Sequence, residues 1–255
     1  MSNVKEQDQQ EIVISYLTLR KLLGLLGMVL PLIMMGGTVC MHCHLQGSIS
    51  AYYYSPMRDW FVGILWAMGV FFVSYTGYKE DPHIKLTENL LTNLAGFLAV
   101  LIALLPTMGD AAVSQSCTTH SCPIPSFANV FGKNLDCQNT WVYAAHLISA
   151  LLFFIVLAYM LCFKFVNILD PSNRQKEIKF YRAMGIVMFV SIGVMLANAI
   201  ADECFKERYP LHNTAVLFFL ETIALWAFGL AWLIKGKIHE DILNWWNRWK
   251  AYRAR

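Results

Sequence analysis

Long runs without charge alternate with short charged stretches along the whole chain. The runs are Leu22–Val39, Trp60–Tyr78, Asn89–Met108, Trp141–Phe163, Ala183–Ala201 and Thr214–Ile234; the fourth holds His146 and the last holds a single acid, Glu221. Each lies near the ~20 residues that a helix needs to cross roughly 30 Å of hydrocarbon. Open strands leave backbone polar groups unpaired in lipid, so helices are the spanning element. The pattern predicts an all-α polytopic membrane protein with six transmembrane helices. An even number of crossings puts both termini on one side.

Three segments follow from the same pattern. Residues 1–19 form an N-terminal segment whose first ten residues are polar and read as disordered, before Ile12, Val13, Ile14, Tyr16, Leu17 and Leu19 approach the membrane. Residues 20–236 form the six-helix domain, with a kink expected at Pro31. In residues 237–255, Ile238, Ile242, Trp245, Trp246, Trp249 and Tyr252 recur at helical spacing among Lys, Arg and Asn. That predicts an amphipathic helix on the membrane surface, with Trp at headgroup depth. The plain reading is an anchor; a partner-binding helix is the other.

Composition agrees with burial in lipid. Only 15% of the 255 residues are charged and 57% are hydrophobic, against about 25% charged in a soluble domain. Charge placement then orients the chain. With the termini inside, the inside segments hold Arg20, Lys21, Lys79, Lys85, Lys164, Arg174, Lys235, Lys237 and further basic residues, while the outside loops hold only Arg58, Lys133, Lys206 and Arg208. This is the positive-inside bias, and it predicts cytoplasmic termini. The net charge of +3 therefore reports topology and gives no reason to expect a nucleic-acid partner; membrane lipids are the expected one. No small-residue cleavage site follows Leu22–Val39, so the first helix reads as retained.

Cys40, Cys43, Cys117, Cys122, Cys137 and Cys204 all fall on the outside by this topology, and Cys162 lies at the inner end of the fourth run. An even set on an oxidising face reads first as structural disulfides, with 15 possible pairings of six. Three alternatives stand beside it. Cys40-Met41-His42-Cys43-His44 matches the C-x-x-C-H attachment pattern of c-type haem. Cys40 and Cys43 at a helix end, with more cysteines in a later loop, also have the layout of membrane thiol–disulfide oxidoreductases that reduce a quinone. Cys40, His42, Cys43 and His44 offer ligands to Zn or Cu(I), although adjacent residues cannot all reach one ion without strain. No cofactor is expected outside these alternatives.

Polar groups inside a membrane are costly and therefore informative. Glu221 lies about eight residues into the sixth run, roughly 12 Å deep by helical rise. His146 lies about five residues into the fourth run from the same side, and Arg58 and Asp59 open the second. Asn198, Asp202 and Asp110 flank that face. These residues predict an outward cavity for a lipid headgroup or small polar ligand, with Arg58 and Glu221 as charged anchors, Asp59 beside them and His146 as a hydrogen-bonding or titrating member. The bland alternative is an interhelical pair that fixes packing. Hydrolysis with His146 as base finds no support in a G-x-S-x-G, H-E-x-x-H or H-x-x-x-H pattern. Tyr52, Tyr53 and Tyr54 read as aromatic anchors at the outer interface.

Several stretches carry a family resemblance. They are Tyr16-Leu17-Thr18-Leu19-Arg20-Lys21, Ser48-Ile49-Ser50-Ala51-Tyr52-Tyr53-Tyr54 with Met57-Arg58-Asp59 and Phe61-Val62-Gly63, and Asn93-Leu94-Ala95-Gly96. Ala103-Leu104-Leu105-Pro106-Thr107, His146-Leu147-Ile148-Ser149-Ala150 and Glu221 with Ala227-Phe228-Gly229 continue the series. Together they resemble a family of uncharacterised bacterial multipass membrane proteins, from about Ser15 to about Lys237. The resemblance implies a bacterial inner-membrane location and six helices, and it covers Arg58, Asp59, His146 and Glu221. It implies no activity, and the Cys40–His44 run departs from its pattern.

Overall fold

The computed structural model describes residues 2–41, 44–77, 86–107, 140–167, 174–205 and 215–253. Every regular element among them is helical. Helix α1 spans Ser2–Cys40, α2 Arg58–Ser74, α3 Glu88–Leu104 and α4 Thr140–Tyr159. α4 runs on through a π-helical turn, Met160–Lys164, into Phe165–Asn167. α5 spans Gln175–Phe205, α6 Val216–Lys235 and α7 Ile238–Arg253. A 3₁₀ turn, Ser50–Tyr54, stands between α1 and α2. α1 is continuous from Ser2, so the polar start that reads as disordered is helical from residue 2.

Four stretches are long and apolar enough to cross a membrane: Ile14–Cys40, Trp141–Asn167, Gln175–Ala201 and Val216–Lys235. α2 and α3 have 17 residues each, which is about 25 Å by helical rise. Both are shorter than the uncharged runs that predict them, and each stops for a local reason. Tyr75 leaves α2 in an extended conformation and turns its buried ring into the bundle. Leu105 precedes Pro106, whose ring disfavours helical backbone at the residue before it, and Leu105 is extended accordingly. At the other end of α3, the Thr87 side chain accepts from Leu90 N at 3.2 Å and caps the helix.

Glycine sets the closest helix pairs. A Cβ on Gly229 of α6 would stand 2.7 Å from Gly24 O of α1, and one on Gly96 of α3 would stand 2.7 Å from Gly69 O of α2. Those backbones touch, as small residues allow between helices in lipid. The same pairing brings Phe72, Phe153, Phe165, Phe228 and Trp232 into one buried aromatic group, with ring centroids 5.3–6.1 Å apart at Phe72–Trp232, Phe72–Phe153, Phe165–Trp232 and Phe228–Trp232. Large apolar side chains such as Trp66, Val70, Phe97, Ile148, Ile186 and Val190 point out of the bundle instead. Such a surface suits lipid and not water.

Connectivity gives the bundle two ends. The C-terminus of α1 and the N-terminus of α2 meet through the segment 44–57, here called the Tyr52 end. The stretch around Arg20, the C-termini of α2 and α6 and the N-terminus of α3 meet at the other, the Arg20 end.

Candidate functional site

At the Tyr52 end the segment 44–57 does not lie over the helices as a surface loop. It folds into the mouth of the bundle, burying Gln46, Ser48, Ile49, Tyr52, Tyr53 and Met57. Tyr52 and Tyr53 are 2% and 1% exposed, so the expectation of interfacial anchors is corrected for these two rings. The reason is packing. The Tyr52 ring lies 6.0 Å from Phe218 of α6 and its hydroxyl meets Thr38 Oγ1 of α1. Met57 fills the space beside Gly37, where any side chain on α1 would collide with it.

Polar bonds then pin the segment on several sides. Ile49 N donates to Glu221 Oε2 at 2.5 Å, and Phe218 N donates to Gly47 O at 2.9 Å. Tyr54 OH donates to Thr107 O at 2.5 Å. Burial pushes all three tyrosine hydroxyls up from their ordinary value. For Tyr52 the bonds to Thr38 and to the Gln46 backbone oppose this, for Tyr53 the nearby Arg58 guanidinium does. Tyr54 is pushed up to about 12, by burial first and then by Tyr53, against Arg58. A narrow crevice runs beside the segment, lined by Thr38, Met41, His44, Gln46, Tyr52 and Met57 among others. Its free volume, about 10 Å³, holds one water.

The four predicted site residues all stand among the described residues, but no bond joins any two of them there. Glu221 takes the Ile49 amide. Among the described residues no basic side chain pairs with it. Arg58 opens α2 with its guanidinium 4.9 Å above the Tyr53 ring. Asp59 is exposed in the first turn of α2, where a carboxylate favours the helix dipole. His146 is buried on α4. Its Nδ1 meets Leu105 O at 2.8 Å, which makes Nδ1 the protonated nitrogen, and its Nε2 is buried with no hydrogen-bond partner among the described residues. Glu221 and Arg58 thus reach the same inserted segment at different residues, Ile49 and Tyr53, and His146 holds the end of α3.

Cys40 ends α1 as an exposed free thiol. Cys162, also a free thiol, sits in the π-helical turn of α4 against Gly185 of α5. Cys43, Cys117, Cys122 and Cys137 lie outside the described residues, as do His42 and Asp110, and the side chains of Asp202 and Cys204 are likewise not described. Among the described residues no three His, Cys, Asp or Glu side chains group as metal ligands.

Sequence reasoning missed a second polar centre, at the Arg20 end. Arg20 is 4% exposed. Its Nε and Nη2 donate to Tyr75 Oη at 3.1 and 2.7 Å, and Tyr75 OH donates to Glu88 Oε1 at 2.9 Å. Glu88 is fully buried and backs onto Gly77, where a Cβ would stand 2.6 Å from its own. Lys235, also buried, points its ammonium at the Phe165 ring from 4.4 Å and feels the charges of Glu88, Arg20, Glu177 and Arg174. Along the sequence Arg20 and Lys235 count only toward the positive-inside bias. The available signal was that Arg20, Glu88 and Lys235 flank three runs at one level with opposite signs.

Compared with protein-family models, with curated proteins and with solved structures, the chain matches none.

Proposed function

We propose that this protein crosses the membrane six times, with both termini on the cytoplasmic side of a bacterial inner membrane, and that its opposite face binds a lipid headgroup or small polar ligand at the Tyr52 end. The positive-inside charge bias and the resemblance to bacterial multipass proteins support the topology. Glu221 is the observation that carries the site. It is an acid in a helix long and apolar enough to span a membrane, it has no cationic partner among the described residues, and a backbone amide of an inserted segment donates to it. Intramembrane acids normally pair with a cation or serve a ligand.

In this reading the segment 44–57 is a lid. A donor-bearing ligand group, such as an ammonium, takes the place of the Ile49 N–H at Glu221. Arg58, held above Tyr53 on the same segment, receives an anionic group of the same ligand. Asp59 tunes the charge at the mouth, and His146 supplies a buried acceptor through Nε2. The crevice admits one water, so the lid moves before a larger ligand enters.

Glu221→Gln tests this directly, because its amide oxygen still accepts from Ile49 N–H while the charge is gone. Native mass spectrometry of the purified protein is expected to show co-purifying lipid or ligand lost in Glu221→Gln and weakened in Arg58→Ala. Retention equal to wild type in both variants, with normal folding, sinks the proposal.

A further inference from the structure

α7 follows closely on α6. α6 is long and apolar enough to cross a membrane, and only Gly236 and Lys237 separate α6 from α7. Lys237 is left-handed, at φ 61°, and this turns the chain sharply out of α6. An ion pair from Lys21 of α1 to Asp241 ties the first turn of α7 to the bundle. The described residues do not cover the rest of the helix: none of its residues is buried. Ile242, Trp245, Trp246 and Tyr252 remain 58%, 62%, 42% and 81% exposed. With Trp249 they follow i, i+3, i+4, i+7 and i+10, one face of a helix.

Charge is divided along α7. Its acids, Glu240 and Asp241, are taken up by Lys237 (at 3.1 Å) and Lys21. Its second half carries Arg248, Lys250 and Arg253 and no acid. Two of these bases are organised on the aromatic face. Trp246 and Trp249 stack with centroids 5.0 Å apart, Lys250 lies 5.3 Å from the Trp246 ring and Arg253 lies 4.2 Å from the Trp249 ring.

We propose that α7 docks on the anionic phospholipid headgroups of the leaflet where α6 ends. Its Trp side chains enter the headgroup layer and Arg248, Lys250 and Arg253 meet lipid phosphates there. The bilayer surface lies next to the helix by connectivity, and its negative charge complements the acid-free half of α7. A second copy of the chain would offer the same basic face and repel it.

The test uses the full-length protein in nanodiscs of phosphatidylglycerol and of phosphatidylcholine, with hydrogen–deuterium exchange read over residues 238–253. Wild-type α7 is expected to exchange roughly fivefold or more slowly in phosphatidylglycerol, an effect that high salt removes. R248Q/K250Q/R253Q is expected to exchange alike in both lipids. W246A/W249A, which keeps the charge, is expected to lose protection in both, and the α1 amides report whether each variant is folded. Equal exchange of wild type in the two lipids overturns the proposal. So does protection that follows protein concentration rather than lipid, which would mean a second copy, or protection that appears only with an added acidic protein.

Discussion

The two ends of the bundle satisfy their buried polar groups in opposite ways. At the Arg20 end side chains bond to one another: Arg20 to Tyr75 and Tyr75 to Glu88, with Lys235 in electrostatic reach. These groups come from α1, the end of α2, α3 and α6, so each bond ties one helix to another. At the Tyr52 end the side chains bond mainly to backbone: Glu221 to Ile49 N, Tyr54 to Thr107 O and His146 to Leu105 O. Those bonds hold segments against helices. A network of charged side chains is costly to open, because each broken link strands a charge in low dielectric. A backbone amide on a connecting segment is neutral and can be exchanged for a ligand's donor. In the proposed reading, the first end supplies stability and the second exchanges its amide for a ligand.

Removing one acid from each end sharpens this contrast. Glu88→Ala leaves Tyr75 and Arg20 without their carboxylate in the core, and breaking a buried charge network in this way costs about 3–5 kcal/mol. Thermal unfolding in mild detergent is expected to show a large drop in midpoint, or no folded protein. A midpoint within a degree or two of wild type would mean that the Arg20 end is not the lock.

Glu221→Ala is expected to cost less, about 1–3 kcal/mol, the penalty for one unsatisfied amide at Ile49. Its signature is local. Exchange of the amides in segment 44–57 rises while the Arg20 end stays protected. If unfolding is global and matches Glu88→Ala, the two ends are one cooperative unit and the comparison fails.

The smallest effect is a pH dependence of segment 44–57. Tyr54 is pushed up to about 12 from 10.0, chiefly by burial. A raised phenol value means that the folded state holds its proton where the unfolded chain has released it. The stabilisation is therefore fully present below pH 10 and is lost as pH rises toward 12. Tyr54 is only part-buried, so the loss is modest. Tyrosinate absorbance followed against segment 44–57 exchange is expected to show both rising together above pH 10 in wild type, with the exchange step reduced in Tyr54→Phe. A segment that opens at neutral pH, or identical profiles in the two proteins, would break the assignment.

Much of the architecture was legible in residue order. Four of the six uncharged runs correspond to helices long and apolar enough to span a membrane, and the amphipathic period after Lys235 corresponds to α7. The lengths of α2 and α3 were less legible, since Tyr75 and Leu105 are apolar yet extended. Hydropathy cannot register a helix end that lies inside an apolar run, although Pro106 offered a hint at the second one. The site was half legible. Glu221, His146 and Arg58 stand out as polar groups near apolar runs, but which partner each takes depends on the segment 44–57. Its three consecutive tyrosines have the composition of interfacial anchors, yet Tyr52 and Tyr53 have the burial of core residues.

Sequence by itself determined the class of this protein. The scarcity of charge, the length of the apolar runs and the need to pair every backbone group in lipid require apolar helices. Tertiary structure decided the partners. Only the close approach of α1 to α6 and of α2 to α3, at glycines on both sides, brings Arg20, Glu88 and Lys235 to one level, and only the inserted segment delivers an amide to Glu221. Hydrophobicity acts on a helix as a whole and can be read along the chain. A hydrogen bond requires two particular atoms within about 3 Å, and for residues as far apart as Ile49 and Glu221 that proximity exists only once the helices have packed.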